Sequence, residues 1–371
     1  MYFDEIKLKS IRKYNICCMD AILISGIGGP TPRSIAKVIK QKYPEMRIVG
    51  IDSNPKAIGF YMSGLVDEYH VSPKASDENY WYFIENLVRE NRIDYAFIQP
   101  EKEIIAWGDY YMKNGKYPCH TFLPPKSLAL TLMDKALMAD ILQGTSFIPK
   151  TIKITQHNPR YEEVEKEIGF PCWIRATQGS GGLGSLKLED LNSYKSWLLI
   201  HSDIEAFTVS EFLVGRHLAN QMLYYNDVLL KGASLECVEY VMANVAPSKV
   251  TGNTSFGRFL NDERILAFCD DCIRYVCNKL QTKAHGVLSF DLKEDVAGNL
   301  KVTEVNIRHM AYTGIMAEVG FDLISDTIEI LRGHMVNSGA PCFKYDKPYV
   351  FLRDVDVEPI ILESEAVFNK D

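Results

Sequence analysis

The chain has 371 residues, of which 47% are hydrophobic and 24% charged, a composition typical of a globular protein with two or three packed units. Its 41 basic and 48 acidic residues give a formal net charge of −7, which argues against nucleic-acid binding because that function needs a basic surface. We expect no membrane partner and a reducing, cytoplasmic setting, because long apolar runs and a signal-peptide core are lacking and the nine cysteines are scattered.

The first part of the chain is predicted to form an α/β unit with a parallel sheet. Residues 21–24 and 47–52 have the apolar character of buried strands, and a glycine-rich turn and a helix through residues 34–39 separate them. The turn does not complete the dinucleotide-binding pattern Gly-x-Gly-x-x-Gly, so we do not predict a dinucleotide site in this unit. Glu101 follows a further predicted strand, residues 94–100, and either contacts the substrate or is an ordinary surface acid.

A linker near residues 114–125 leads into the rest of the chain. Residues 127–142 then have the apolar spacing of one helix, in which Lys135 is the cation. A lone helix lysine is usually solvated, so this pattern gains meaning only beside other nucleotide-binding features.

A glycine-rich loop lies between two predicted strands, residues 172–175 and 186–188. The loop contains Gly179, Ser180, Gly181, Gly182 and Gly184. Because glycine lets backbone N–H groups turn toward an anion, such a loop can cradle phosphates, and Arg175 at its mouth can reach the same anion. It is not a Walker loop, since no Gly-Lys-Ser/Thr follows. The alternative interpretation is a glycine-rich hairpin without a ligand.

Residues 209–217 are predicted to form a strand followed by a short connection. An adenine ring can lie against the segment Glu211, Phe212 and Leu213 and bond its backbone, with His217 or Glu211 near the ribose. For His217 the alternative is an ordinary histidine with internal partners.

The polar segment 248–258 is predicted to be a loop that covers the acceptor side of a site. Arg258 in this loop can bind a substrate carboxylate, and a solvated arginine is the alternative. Farther along, Cys269 and Cys272 form a Cys-x-x-Cys pattern, but Cys269 lies on the apolar stripe of a helix and no second ligand pair follows. We therefore interpret these cysteines as buried and structural.

The most informative segment is a predicted β-hairpin, residues 289–306, with a turn near residues 297–298. Asp291 then lies opposite Glu304, and strand alternation places Asn306 on the same face as Glu304. Three oxygen ligands of this kind suit Mg²⁺, which fills its other positions with water and nucleotide phosphates. A solvated hairpin face with ordinary surface charges is the alternative.

Taken in chain order, these motifs resemble the ATP-grasp superfamily, in particular the branch with biotin carboxylase, the carbamoyl-phosphate synthetase large subunit and carboxylate–amine ligases. The resemblance covers residues 20–335. It rests on Lys135, on Arg175 with the glycine-rich loop, on the segment from Glu211 to His217, on Asp291, and on the run from Glu304 to Arg308.

The resemblance implies an α/β fold, with an α+β lid, in which an ATP-grasp unit follows an N-terminal parallel-sheet domain. The implied parts are the preceding domain (1–120), a lid subdomain with the glycine-rich flap (121–210), a C-terminal subdomain with the Mg/ATP site (211–340) and a C-terminal extension (341–371).

The resemblance also implies a role for each motif. Lys135 and Arg175 hold ATP phosphates under the flap, and Glu211 to Leu213 line the adenine with His217 at the ribose. Asp291, Glu304 and Asn306 bind Mg²⁺, with Mn²⁺ as an alternative, and Arg308 faces the transferred phosphoryl group. The chain departs from commoner family residues at Arg175, His217 and Asp291, and the aspartate makes a second metal position less defined.

We therefore expect an ATP-dependent ligase that activates a carboxylate as an acyl phosphate and joins it to an amine, releasing ADP and phosphate. The expected partners are small carboxylates and amines, such as amino acids or their derivatives, and a homodimer is compatible with the resemblance. Three alternatives stay open: phosphorylation of bicarbonate, as in carbamoyl-phosphate synthetases and carboxylases, a small-molecule kinase, and a non-catalytic nucleotide-binding regulator.

Overall fold

The computed structural model describes residues 20–177, 184–246, 248–249, 251–336, 339–355 and 360–364. The chain divides into two compact units. The first comprises Met1–Ile98 with Pro118–Thr121, and the second comprises Gln99–Tyr117 with Phe122–Asp371. No helix among the described residues is both long and apolar enough to cross a bilayer.

The first unit contains a five-stranded parallel sheet in the order β3-β2-β1-β4-β5. Its strands and helices are β1 (Ala21–Ser25), α1 (Pro30–Lys42), β2 (Arg47–Asp52), β3 (Glu68–Val71), α2 (Tyr80–Asn91), β4 (Tyr95–Phe97) and β5 (His120–Thr121). Every residue of β1 is buried, as expected for a central parallel strand covered on both faces. The predicted parallel sheet is therefore confirmed.

The turn between β1 and α1 is closed by a side chain from the end of β2. The amide of Gly28 donates to Asp52 Oδ2 at 3.0 Å, and the amide of Asn54 donates to Asp52 Oδ1 at 2.9 Å. A Cβ at position 28 would lie 2.9 Å from the Cβ of Ala57, so only glycine fits this turn. Asp52 thus bonds its own loop, in agreement with the lack of a dinucleotide-binding pattern in the sequence.

The second unit is built on two sheets, of four and seven strands. The smaller sheet has the order β6-β9-β7-β8, and its strands are β6 (Thr151–Thr155), β7 (Cys172–Ala176), β8 (Leu186–Leu188) and β9 (Ala206–Glu211). The larger sheet has the order β14-β13-β10-β11-β12-β15-β16, and its strands are β10 (His217–Tyr225), β11 (Val228–Tyr240), β12 (Thr254–Leu260), β13 (Gly286–Glu294), β14 (Leu300–Asn306), β15 (Tyr349–Leu352) and β16 (Ile360–Glu363). The last two strands show that the end of the chain extends this sheet.

The helices of the second unit are α3 (Glu101–Asn114), α4 (Lys126–Met133), α5 (Lys135–Leu142), α6 (Tyr161–Glu167), α7 (Leu191–Ile200), α8 (Glu263–Leu280), α9 (Thr313–Glu318) and α10 (Leu323–Leu331). The single helix predicted for residues 127–142 is wrong. The helix is interrupted at Asp134, which has extended backbone angles and accepts hydrogen bonds from the amides of Ala136 and Leu137. An aspartate at this position caps a new helix instead of continuing the old one.

Each sheet has its own apolar core. Side chains of α6 and α7, including Val164 and Trp197, pack on the smaller sheet. On the larger sheet a cluster joins Phe259 and Phe351 with Phe321. The buried face of α8 contains Cys269, Cys272 and Cys277, which confirms the predicted burial of these cysteines.

Candidate functional site

The predicted metal ligands meet on the hairpin of β13 and β14. Asp291 pairs with Glu304, as the sequence predicts, and a β-bulge follows because Leu292 pairs with Val302. The extra residue, Thr303, donates from its Oγ1 to the carbonyl of Asp291 at 3.0 Å. Asn306 Nδ2 lies 3.3 Å from Asp291 Oδ2, so the two carboxylates and the amide form one group.

The electrostatics of this group favour a cation. Burial and the neighbouring Glu304 raise the pKa of Asp291 to about 7, against the opposing effects of Arg308, Lys135 and Asn306. A bound divalent ion would remove this penalty, because it favours the ionised carboxylate. The described residues include no group of three or more His, Cys, Asp or Glu side chains suited to a metal. Two carboxylates and an amide therefore leave positions for phosphate oxygens and water, which fits Mg²⁺.

Three cations surround these ligands. Lys135 begins α5, where the cap at Asp134 fixes the first turn, and its Nζ lies 3.3 Å from Glu304 Oε1. Arg175 lies on β7, and burial lowers its pKa while the carboxylates of Glu304 and Asp291 oppose that shift. Its Nε is buried and has no hydrogen-bond partner among the described residues. A buried donor of this kind is suited to a phosphate oxygen.

Arg308 follows β14 and is held at its guanidinium. Its Nη2 lies 3.3 Å from Glu101 Oε1, and its Nη1 donates to the carbonyl of His309 at 3.2 Å. Glu101, for which the sequence left two alternatives, is therefore joined to the site through an ion pair.

The segment after β9 forms an aromatic slot. The ring centroids of Phe212 and Trp173 are 6.3 Å apart, and Lys187 Nζ lies 4.9 Å from the centroid of Phe212. Glu211 is bonded to the backbone of Lys150, since its Oε2 accepts from the Lys150 amide at 2.9 Å. Leu213 is buried at the edge of the same cavity. This combination of aromatic and aliphatic walls is suited to a planar base.

His217, at the start of β10, is a neutral imidazole. Burial and Lys293 lower its pKa to about 4. Its Nδ1 contacts the hydroxyl of Tyr240, which also hydrogen-bonds Cys237, and burial raises the pKa of that phenol above its usual range. Nε2 is buried and has no partner among the described residues. A ligand hydroxyl can hydrogen-bond to this nitrogen, as donor or acceptor according to the tautomer of the ring.

These groups line a single cavity of about 690 Å³, a volume in the range of small-molecule sites. The predicted site residues that line it are Lys135, Arg175, Glu211, Phe212, Leu213, His217, Asp291, Glu304, Asn306 and Arg308. Gly184 is not among the lining residues, and its carbonyl accepts from Trp197 Nε1 at 3.1 Å. Gly179, Ser180, Gly181 and Gly182 lie outside the described residues.

The prediction for Arg258 needs correction. Arg258 lies on β12 rather than in a loop, and it is not among the residues that line the cavity. Its guanidinium is 3.7 Å from Glu236 and lies over the ring of Phe256, with 44% of the side chain exposed. The sequence suggested a loop because glycine and polar residues dominate the segment, whereas pairing with β11 and β15 extends the strand.

Sequence reasoning did not single out Lys249, Tyr240, Cys237 and Tyr312, which also line the cavity. Lys249 has a φ of 56°, a conformation that is costly for lysine and often found at functional sites. The hydroxyl of Tyr312 is buried without a partner among the described residues. Burial and the nearby Asp291 raise the pKa of Tyr312 well above its usual value, so this phenol is a hydrogen-bond donor.

Comparison with known proteins identifies the family of the chain. Residues 134–338, more than half of the chain, match the family model "Carbamoyl-phosphate synthase L chain, ATP binding domain". No curated protein is significantly similar in sequence to the chain.

Several solved structures share the fold. N5-carboxyaminoimidazole synthetase from Staphylococcus aureus complexed with ADP is 13% identical, with a TM-score of 0.69 over 90% of this chain and 82% of that chain. The biotin carboxylase domain of 2-oxoglutarate carboxylase from Hydrogenobacter thermophilus, with MgADP, ADP and bicarbonate, is 13% identical, with a TM-score of 0.65 over 90% and 74%. Biotin carboxylase from Campylobacter jejuni is 15% identical, with a TM-score of 0.64 over 90% and 75%. The predicted fold class and ATP-grasp resemblance are confirmed.

Proposed function

The chain belongs to the ATP-binding family of the carbamoyl-phosphate synthase L chain and is an ATP-grasp ligase that uses ATP with Mg²⁺, and on this premise we propose that it joins a small carboxylate to an amine through an acyl phosphate. One observation carries the proposal. A single cavity contains an aromatic slot, a set of oxygen ligands and the three cations Lys135, Arg175 and Arg308.

We assign the nucleotide to the cavity from one end to the other. The adenine lies in the slot of Trp173, Phe212 and Leu213, and Nε2 of His217 hydrogen-bonds a ribose hydroxyl. Lys135 and Arg175 bind the phosphates.

Mg²⁺ would be held by Asp291, Glu304 and Asn306, and when bound it offsets the negative charge of the phosphates. The side chains around it supply the remaining stabilisation. Lys135 and Arg308 offset charge on the phosphoryl oxygens, which is most of what this chemistry asks of a protein.

The reaction proceeds in two balanced steps. A carboxylate oxygen of the acid attacks the γ-phosphorus of ATP, and the bond to the bridging oxygen breaks, so that ADP leaves with the electron pair. The amine nitrogen then attacks the acyl carbon of the acyl phosphate, inorganic phosphate leaves, and the nitrogen loses a proton. Closing the cavity keeps water from hydrolysing the intermediate.

We place the acid beside Lys249 and Tyr312 rather than beside Arg258. Both side chains line the cavity, and their cation and hydroxyl donor can hold an oxyanion.

Bicarbonate is the second candidate for the acid. The Hydrogenobacter structure contains bicarbonate together with MgADP, and its fold matches 90% of this chain. In that case the product of the first step is a phosphorylated bicarbonate. The nitrogen of an amine or of a carrier then attacks its carbonyl carbon, and inorganic phosphate leaves.

An assay of ADP and phosphate release tests these proposals. The protein is incubated with Mg·ATP and with pools of acids, amines or bicarbonate, singly and in combination, and the products are identified by mass spectrometry. Phosphate release that needs both an acid and an amine supports the ligase. Release that needs bicarbonate supports the second candidate, and a stable phosphorylated product without an amine contradicts both.

A further inference from the structure

Three fully buried polar side chains lie together at the start of α9. Gln221 on β10, Ser289 on β13 and Thr313 on α9 each have 0% exposure. Gln221 Nε2 donates to Ser289 Oγ at 3.2 Å and to Thr313 Oγ1 at 2.8 Å. One amide therefore joins a hydroxyl from the sheet to a hydroxyl from the helix.

This group is bonded to the backbone on both sides of His309. Ser289 Oγ donates to the carbonyl of Arg308 at 3.0 Å, and the amide of Met310 donates to Thr313 Oγ1 at 3.0 Å. The amide of Thr313 also donates to the carbonyl of Met310 at 3.0 Å. The segment from Arg308 to Met310 is thus fixed at both ends by side chains that Gln221 holds in place.

The guanidinium of Arg308 is held separately. Its Nη2 lies 3.3 Å from Glu101 Oε1, which fixes the charged end of the side chain. The bonds to the backbone described above fix its other end. Arginine has many rotamers, and holding both ends reduces the entropy lost when it grips an anion.

A buried polar group gains little net stability over an apolar one, so folding alone does not call for three such residues here. A neighbouring pair provides a comparison. Asn220 Nδ2 donates to Ser234 Oγ at 2.8 Å in the same sheet and is equally buried. Strand alternation turns Asn220 to the face opposite Gln221, and its bond to Ser234 joins β10 to β11 rather than to the Arg308 segment.

We propose that Gln221, Ser289 and Thr313 are positioning residues that fix Arg308 for contact with the γ-phosphoryl group of ATP. The inference rests on the proposed function in one respect, the contact between Arg308 and that group. These three residues, the Gln221 network, affect the γ-phosphoryl group through Arg308. The binding of ADP, which lacks that group, does not depend on them.

Nucleotide binding tests this inference without knowledge of the acid or the amine. Isothermal titration with Mg·ADP and with Mg·AMPPNP, a non-hydrolysable ATP analogue, gives the affinity ratio that the γ-phosphoryl group contributes. Thr313→Val and Ser289→Ala should lower the AMPPNP affinity by about tenfold and the ADP affinity by less than about twofold. Thr313→Ser keeps the hydroxyl and should restore the ratio.

A double-mutant cycle separates positioning from general stability. Arg308→Ala alone should lower the AMPPNP affinity, and Thr313→Val should add little in that background because its effect passes through Arg308. Additive losses would overturn the inference. Ser234→Ala is the matched control, and it should leave the ratio unchanged. If Thr313→Val does not fold, Ser289→Ala in the same cycle gives the decision.

The outcomes distinguish the two proposals. A normal ratio in Thr313→Val and Ser289→Ala, with a lowered ratio in Arg308→Ala, would overturn the positioning role alone. A normal ratio in Arg308→Ala would overturn the phosphoryl contact and the inference with it. If the network variants behave as expected but no acid and amine pair gives phosphate release, the ligase proposal fails and the positioning role stands.

Discussion

Lys135 Nζ lies 3.3 Å from Glu304 Oε1, so the first cation of α5 is ion-paired with a carboxylate of the β13–β14 hairpin. The lysine side chain is 7% exposed and the glutamate side chain 30% exposed. This ion pair thus joins α5 to the β13–β14 hairpin at the candidate phosphate and metal positions. In the nucleotide complex that we propose, Glu304 faces the metal and Lys135 faces the phosphates, so each exchanges one partner of opposite charge for another.

The first prediction concerns the charge of Glu304. Glu304→Gln keeps the size of the side chain but removes a metal ligand charge, and turnover should fall on the order of a hundredfold or more. Binding of Mg·ADP should lose its dependence on Mg²⁺, as measured by titration with and without the metal. Glu239→Gln is the control, because Glu239 is an exposed carboxylate that is not among the lining residues. Full activity in Glu304→Gln would refute the metal assignment.

The second prediction compares two cations on the acid side. Lys249→Ala should raise KM for the acid by about tenfold and leave KM for ATP nearly unchanged, because the lysine contributes one charged contact to the substrate. Arg258→Ala should leave both values unchanged, since Arg258 is paired with Glu236 and is not among the lining residues. The reverse pattern in steady-state kinetics would return the acid site to Arg258.

The third prediction concerns the hydroxyl of Tyr312, which is buried without a partner among the described residues. Tyr312→Phe should preserve the free energy of unfolding or raise it by about 1 kcal/mol, because an unsatisfied buried donor is costly. Turnover should nevertheless fall about tenfold if the hydroxyl donates to the substrate. A loss of turnover without a loss of stability is a result that a purely structural residue does not produce.

Tyr345→Phe is the matched control for that prediction. Its hydroxyl is also buried without a partner among the described residues, but Tyr345 is not among the residues that line the cavity. It should show the same effect on unfolding and normal turnover. Equal turnover in the two variants would contradict the placement of Tyr312 at the acid site.

The fourth prediction concerns pH. Burial lowers the pKa of His217 from 6.5 to about 4, so the unfolded chain binds a proton in this range that the folded chain does not. Stability from this group is therefore complete above pH 6.5 and is lost as the pH falls toward 4. Between pH 7 and pH 5 the loss should be about 1 to 2 kcal/mol. Urea unfolding of His217→Gln should show a correspondingly smaller loss, and the exposed control His157→Gln should behave as the unaltered protein does.

Local periodicity was sufficient to predict the hairpin. Alternation along β13 and β14, with a turn near Gly298, places Asp291 opposite Glu304, and that pairing is found. The bulge at Thr303 was not predictable, because nothing in the residue pattern distinguishes an extra residue from a regular one. The register of the pairs nearest the turn, such as Leu292 with Val302, would by itself place Asp291 opposite Thr303, and the extra residue of the bulge shifts Glu304 into that position.

Other features depend on tertiary structure. Apolar spacing continues across Asp134, so only the capping bonds reveal that one predicted helix is two. Arg258 and Lys249 lie in one polar segment, and their sequence neighbours do not tell which of them reaches the cavity. That difference comes from strand pairing of β12 and from the positive φ of Lys249.

The turn of the β13–β14 hairpin is closed by its own groups. Asp295 accepts from the amides of Ala297 and Asn299 at 2.9 Å, and Val296 is 91% exposed. Val296 is five residues from Asp291, or roughly 17 Å along a strand. A label on a cysteine introduced there would therefore leave the metal ligands untouched.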